Sequence, residues 1–300
     1  VLKTLVHLAW RVFLSQTKRL RLSYSSGTTL QSCPRKYLHY KVLGTSKDSD
    51  IVEDTTALRV GSAYHEILED CLHEEKNINN LKVKQIFETN EIDDKAQRGL
   101  VLAMVRKYLQ LHAASGLKIV ACEIEIGCKD ILGYVDFVAL LPDGTSWVLG
   151  DLKTAGRVDM EALSARLSRD AQLNLYAAYS RQIAERLDLD PDAFAGVRYR
   201  VTTKSSVKIR GDETLEDFVS RLIGKIRAID FEIPVSRLSI PATHQLFLDL
   251  AEQANGLKDL PLHKVPQNRS HCMSYFRPCS YWSQCHGSLF SEGTLTYSEV

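Results

Sequence analysis

The order of elements read along the chain is helix, three strands, helix, strand, which predicts an α/β fold: a mixed sheet flanked by helices. Three observations carry this. Apolar residues recur at helical spacing over Ala57 to Glu75, with Val60, Tyr64, Ile67, Leu68 and Cys71 along one face. Lys118 to Gly127, Ile131 to Leu141 and Ser146 to Thr154 are rich in strand-forming residues. The turn signal Pro142-Asp143-Gly144-Thr145 joins the last two as a hairpin. Three hundred residues, 44% hydrophobic and 25% charged, are ordinary for a globular protein and allow one large domain or two small ones.

Residues 1 to 47 contain no Asp or Glu and nine Lys or Arg. A basic amino-terminal region suits a polyanionic partner such as nucleic acid, with a targeting peptide or a solvated arm as the competing readings. Val1 to Leu14 is apolar but interrupted by Lys3, His7 and Arg11, too short and too charged for a membrane span. No secretory cleavage site follows it. The expected organisation is a basic arm over 1–22, a core domain over 23–260 with a helical insertion at about 76–115, and a cysteine-rich segment over 261–300. Within that core, a polar turn and short helix follow Ser23. A second helical stretch runs from Leu81 to Ala114, broken near Glu91 to Asp94. Beyond the hairpin come a helix over Ser168 to Arg186, a strand over Gly196 to Thr203 on which Lys208 returns, and a helix over Thr214 to Ile229.

The hairpin carries the chemistry. With Asp143 and Gly144 as a two-residue loop, 142 pairs with 145 and the count runs down to Asp136 opposite Asp151. Like charges directly opposite in an antiparallel pair destabilise a sheet, so a cation is expected between them. Mg²⁺ or Mn²⁺ suits carboxylate and carbonyl oxygens and keeps waters for a phosphate to displace. Lys153 lies two residues beyond Asp151, hence on the same strand face, where its ammonium can orient or help deprotonate an attacking water. A surface hairpin with merely solvated acids is the alternative.

On the first helix, Gly61 and His65 share a face one turn apart, leaving room beside a neutral imidazole for a metal or phosphate; a hydrogen-bonded structural histidine is the alternative. On the later helix, Gln172 and Tyr176 have the same spacing, and a glutamine on an apolar stripe needs partners for its amide. Taken in order, Gly61-x-x-x-His65, Gly133-x-x-Asp136, Asp151-x-Lys153 and Gln172-x-x-x-Tyr176 resemble the RecB-type branch of the PD-(D/E)XK nuclease superfamily. The resemblance implies a restriction-endonuclease-like core. It implies that His65, Asp136 and Asp151, with the Leu152 carbonyl, are metal ligands and that Lys153 is the catalytic lysine. Gln172 and Tyr176 match the motif that organises the site and contacts DNA. Val135 stands where the superfamily's name has proline.

Seven cysteines in a chain this long, with no secretory signal, do not read as a disulfide framework. Cys71, Cys122 and Cys128 fall in apolar-periodic segments, whereas Cys33, Cys272, Cys279 and Cys285 lie among turn-forming and aromatic residues near the chain ends. Their placement on either side of the core is similar to that in the iron-sulfur nucleases of the same branch: AddB, the CRISPR adaptation nucleases and the exonuclease V family. The resemblance implies that these four thiolates hold a [4Fe–4S] cluster joining the amino- and carboxyl-terminal segments, with Zn²⁺ as the alternative. The family triplet is spaced C-x2-C-x5-C. Cys279 and Cys285 fit it, but six residues separate Cys272 from Cys279, which leaves His271 or a differently folded loop as alternatives for that ligand.

The substrate implied is DNA. Arg198, Arg200, Lys204, Lys208 and Arg210, with no acid between 196 and 210, suit a track for a phosphate backbone, although charged edge strands have the same composition. Aromatic residues including Tyr275 and Phe276 are candidates for stacking unpaired bases or for packing around the cluster. No P-loop is present, so any helicase or recombination protein is a separate partner. The expected activity is a metal-dependent exonuclease acting on single strands or ends in repair, recombination or phage replication. A non-catalytic DNA-end-binding subunit and a structure-specific endonuclease are the alternatives. No membrane partner is expected. The compartment expected is the cytoplasm of a bacterial or phage-infected cell, with a mitochondrial location as the alternative.

Overall fold

The computed structural model describes residues 19–48, 55–73, 78–274 and 277–286. In chain order the elements are α1 (Tyr24–Ser32), α2 (Pro34–Tyr37), α3 (Thr56–His73), α4 (Asn80–Thr89), α5 (Lys95–Ser115), β1 (Lys118–Gly127), β2 (Leu132–Leu140), β3 (Trp147–Ala155), α6 (Met160–Leu167), α7 (Ala171–Ala178), α8 (Ser180–Leu187), β4 (Phe194–Thr203), α9 (Leu215–Ile223), β5 (Ala228–Pro234), α10 (Ile240–Leu257), β6 (Met273–Ser274), β7 (Arg277–Pro278) and α11 (Trp282–His286). They fall into two compact units: residues 52–126 with 133–244, and residues 1–51 with 127–132 and 245–300. Among the described residues no helix is long and apolar enough to cross a membrane. Most of the basic arm, with Lys3, Arg11 and Lys18, lies outside the described residues, as do Tyr275 and Phe276.

The larger unit is built on a five-stranded mixed sheet in the order β1-β2-β3-β4-β5. β2 and β3 are antiparallel, β3 and β4 parallel, β4 and β5 antiparallel. The parallel step needs a crossover, which α6, α7 and α8 supply. Phe137, Ala139, Val148 and Leu152 enter one continuous apolar core with residues of α3, α4, α5 and α9. By the strand alternation Asp136, Asp151 and Lys153 project from the opposite face.

The hairpin register is the one counted from the sequence, with Phe137 opposite Gly150 and Leu140 opposite Trp147. The loop itself is longer. Leu141 N–H donates to the Ser146 carbonyl at 2.8 Å and Gly144 N–H to the Leu141 carbonyl at 2.9 Å, so residues 142–145 form the connection. Gly144 takes φ +74°, a conformation open to glycine, and Asp143 accepts the Thr145 and Ser146 N–H groups. Two residues added symmetrically leave the pairing unchanged.

Elsewhere the elements depart from the sequence expectation for identifiable reasons. The helix expected over 168–186 begins after Asp170, whose carboxylate caps the Gln172 and Leu173 N–H groups, and it breaks at Tyr179. There the Tyr179 ring lies edge-on to His244. The helix expected to reach Ile229 ends before Gly224, because Ile229, Asp230, Phe231, Glu232 and Ile233 alternate with period two and form β5. It is β5, not the Lys208 segment, that returns on β4.

That pairing also corrects the phosphate-track reading of β4. Arg200 stands opposite Asp230 and Arg198 opposite Glu232. Arg200 is fully buried and forms an ion pair with Asp230, while Arg198 bonds both Asp230 and Glu232. Lys204 donates to the Ala57 carbonyl at 2.7 Å. These cations compensate acids and carbonyls of the fold, because a buried guanidinium must be paired.

In the smaller unit, Ser23 and Ser26 cap α1 reciprocally and Leu22 bridges Ile131. Gly27 lies under the Phe247 ring, where an added Cβ would stand 2.7 Å from Cε1. The amino- and carboxyl-terminal segments are stitched by side chains: Arg35 donates to the Val265 carbonyl at 2.9 Å, Asn268 to the Ser32 carbonyl at 2.9 Å, and Ser283 N–H to Asp48 at 2.8 Å.

At the centre of the hairpin, Phe137 covers Gly150 so closely that an added Cβ would meet its ring at 2.1 Å. Gly150→Ala is therefore expected to destabilise the protein by about 1–3 kcal/mol through overpacking. The measurement is the urea midpoint. Combining it with Phe137→Leu should recover part of the loss, whereas additive losses in the double variant would show that the ring is not the obstacle.

Candidate active site

The β2–β3 ladder is paired as far as Phe137 and Gly150, one step short of the two aspartates. Beyond that step the Leu152 N–H donates to a carboxylate oxygen of Asp136. Asp136 thus occupies the fork between the strands. Asp151 continues in register with Tyr199 of β4 and is fully buried.

Lys153 Nζ lies 2.8 Å from Asp151 Oδ1 and 2.7 Å from Oδ2, donating its hydrogen bond to Oδ1. Both oxygens are thus within reach of the one ammonium. Burial pushes both aspartates above the ordinary carboxylate range. Lys153 opposes that shift in both, the Leu152 N–H opposes it in Asp136, and for Asp151 the neighbouring Asp136 charge adds to it. Burial pulls Lys153 down, but the two aspartates outweigh it and hold the ammonium charged. Two buried acids sharing one ammonium form a site deficient in positive charge.

His65 reaches this fork from α3, its Nδ1 3.9 Å from Asp136 Oδ1. Burial, aided by the Lys153 charge, lowers its pKa to about 4, so the imidazole is neutral at pH 7 and has a lone pair to offer. The Gly61 position one turn earlier faces Thr154, with an added Cβ 3.5 Å from Oγ1. From α7, Gln172 Nε2 donates to the Tyr176 hydroxyl at 2.6 Å, leaving the Tyr176 proton free to be donated onward. Tyr176 is nearly buried, and burial with the Asp151 charge nearby raises its pKa, so it stays a donor. Gly133 permits this approach: an added Cβ would stand 3.3 Å from the Tyr176 ring. His65, Asp136, Asp151, Lys153, Gln172 and Tyr176 are therefore all brought to one region by four elements.

Glu123 joins them without having been singled out from the sequence. It sits within β1 at φ 47°, a left-handed backbone that costs an ordinary residue about 1–2 kcal/mol. Burial and the Asp136 and Glu69 charges raise its carboxyl to about 7. The left-handed residue breaks the two-residue alternation on which face assignment rests, so the only sequence signal was an acid within a strand. Among the described residues no three His, Cys, Asp or Glu side chains form a ready-made cage for a metal ion. The donor set nevertheless fits a hard divalent cation, which takes a few carboxylate and carbonyl oxygens and fills the remainder with water.

The smaller unit brings Cys33, Cys272, Cys279 and Cys285 to the wall of one narrow cavity, together with Gln267, His271 and His286. The six residues between Cys272 and Cys279 are taken up by a hairpin: β6 pairs with β7, and Cys279 N–H donates to the Cys272 carbonyl at 2.8 Å. The long spacing is thereby closed and the two cysteines stand side by side. His39 is buried, stacked on Tyr281, with Nε2 4.0 Å from Cys285 Sγ. None of the four is joined in a disulfide.

A family model described as the PD-(D/E)XK nuclease superfamily matches residues 21–286. No curated protein matches the chain. The matched span contains both aspartates, Lys153 and the whole mixed sheet. Members of that superfamily are phosphodiester hydrolases that typically use Mg²⁺ or Mn²⁺. Because the match takes in most of the sequence and runs through the fork where the two acids and the lysine meet, the chain belongs to the PD-(D/E)XK nuclease superfamily.

Proposed function

We propose that this protein is a metal-dependent deoxyribonuclease of the RecB-type branch, acting on single strands or ends as an exonuclease in repair, recombination or phage replication. The observation that carries the catalytic part is the Asp136–Asp151 pair at the β2–β3 fork with Lys153 bonded to it. Asp136, Asp151, the Leu152 carbonyl and neutral His65 are the residues to hold a divalent cation. When bound, the cation polarises the phosphoryl oxygens and makes a water more acidic. Lys153 remains an ammonium beside Asp151, so its part is to orient the attacking water and neutralise charge developing on the phosphoryl group, rather than to take a proton. Tyr176, with its oxygen engaged by Gln172, donates its proton toward a phosphate oxygen.

The four cysteines are proposed to hold a [4Fe–4S] cluster, in a structural role. Support comes from their common cavity and from the hairpin that offsets the spacing of Cys272. A cluster takes one thiolate at each of its irons, which suits thiols arranged around a cavity.

Incubation of labelled linear and circular single strands with Mg²⁺ or Mn²⁺ tests the activity. Linear strands should be degraded and circles spared; cutting of circles would make the enzyme an endonuclease. Asp151→Ala and Lys153→Ala should each lower the rate by about a hundredfold or more, and retention of full activity by either would remove that residue from the chemistry.

The same carboxylates predict a pH-dependent stability. Burial raises the Asp136 pKa above its ordinary 3.8, so the folded protein holds that proton more tightly than the unfolded chain. The carboxylate is therefore harmless below about pH 4 and destabilises the fold increasingly as pH climbs from there through the raised value. Asp136→Asn, measured in EDTA, should raise the melting temperature at pH 8 by roughly 2–4 °C for each kcal/mol relieved. The gain should vanish near pH 4. A pH-independent difference would contradict the assignment.

Anaerobic purification should yield a coloured protein with visible thiolate-to-iron absorption. Cys33→Ala or Cys279→Ala should lose the absorption and Asp151→Ala should keep it. A colourless protein carrying stoichiometric zinc would instead support the Zn²⁺ alternative.

A further inference from the structure

The β4 arginines are consumed by Asp230 and Glu232, which leaves open what holds a polyanionic substrate near Lys153. A cleft of about 440 Å³ adjoins that lysine. One wall is the sheet, through Lys153, Tyr199 and Val201. The other is the segment from Ala155 through α6, through Arg157, Leu163 and Arg166. The volume lies in the roughly 300–1,000 Å³ range of pockets that enclose small organic groups.

Arg157 and Arg166 are exposed, and neither forms an ion pair among the described residues. This contrasts with Arg106, Arg198, Arg200 and Arg221, each of which is paired with an acid. The one acid in the cleft lining, Asp159, uses its Oδ1 to accept the Ala162 N–H at 3.0 Å as the cap of α6. A recess with a tyrosine and aliphatic side chains on its walls, two unpaired guanidinium groups and a catalytic ammonium has the chemistry of a nucleotide: apolar surface for a base and forked donors for phosphate oxygens.

We propose that this cleft binds one unpaired nucleotide beside the phosphodiester to be cut, with Arg157 and Arg166 gripping backbone phosphate and the Leu163, Tyr199 and Val201 surface covering the base. The inference rests on the nuclease reading and names its substrate as single-stranded. A base enters such a recess only when free of its stack and partner, and in a duplex it must first be extruded against both.

The test uses fluorescence anisotropy of a short labelled DNA single strand in EDTA, and steady-state cleavage of the same strand with Mg²⁺ or Mn²⁺. The Arg157→Gln/Arg166→Gln double variant should bind about tenfold or more weakly, with its salt dependence reduced by about 0.7 in slope for each phosphate no longer gripped. Its KM should rise in proportion, with most of the loss in KM and little in kcat. The Arg181→Gln/Arg237→Gln double variant, at two exposed arginines outside the cleft lining, is the charge-matched control and should change none of these. Melting temperatures of all variants verify folding. If wild type cuts DNA but the double variant retains wild-type affinity, KM and salt slope, the cleft assignment is overturned. Duplex bound as tightly as single strand would also overturn it, because no unpaired nucleotide would then be selected. If wild type cuts nothing with either metal yet the affinity difference persists, the nuclease reading fails while the cleft stands as a single-strand binding site.

Discussion

The mutual repulsion of Asp136 and Asp151 governs the architecture of the larger unit. Two carboxylates facing each other across a hairpin would weaken an ordinary ladder. The ladder is paired only to the preceding residues, and the backbone N–H freed at Leu152 goes to Asp136. Lys153, two residues further on, supplies the neutralising charge. Other elements converge on the same fork: α3 brings His65, α7 brings Tyr176 with Gln172, and a left-handed residue in β1 brings Glu123. Burial raises the pKa of both acids, and the Lys153 ammonium opposes that shift in each.

The arginines divide into those paired with acids across the sheet and those exposed at the cleft beside Lys153. On β4 the guanidinium groups, fully buried at Arg200 and partly buried at Arg198, are matched in register by acids of β5, so they hold the sheet together. On the segment after β3, Arg157 and Arg166 are exposed beside Lys153 and form no ion pair among the described residues. A count of basic residues along the chain cannot separate the two groups. Which of them has an acid opposite depends on strand pairing.

The smaller unit has its own logic. Its two chain segments are joined by directional hydrogen bonds, at Arg35, Asn268 and Asp48, and the four cysteines line a single cavity within it. β6 and β7 pair between Cys272 and Cys279, and the Cys279 N–H donates to the Cys272 carbonyl, so the two cysteines stand side by side.

By itself the sequence determined the features that depend on local periodicity and turn chemistry. These were the span of β1, the long helices α3 to α5, and the hairpin register that sets Asp136 against Asp151, because alternation and an Asp-Gly turn leave few ways to pair two apolar strands. Tertiary structure alone decided the break at Tyr179, the pairing of β4 with β5, the burial of Arg200 and the pairing of Arg198, and the approach of Glu123. Each of these depends on a partner distant in sequence or on a backbone angle that interrupts periodicity. The helical pattern from Thr214 runs on to Ile229, into the first residues of the strand 228–234, because seven residues carry too little periodic signal beside an amphipathic neighbour. The physical reason is the same throughout: sequence specifies what a residue prefers, and packing decides which neighbour is there to satisfy it.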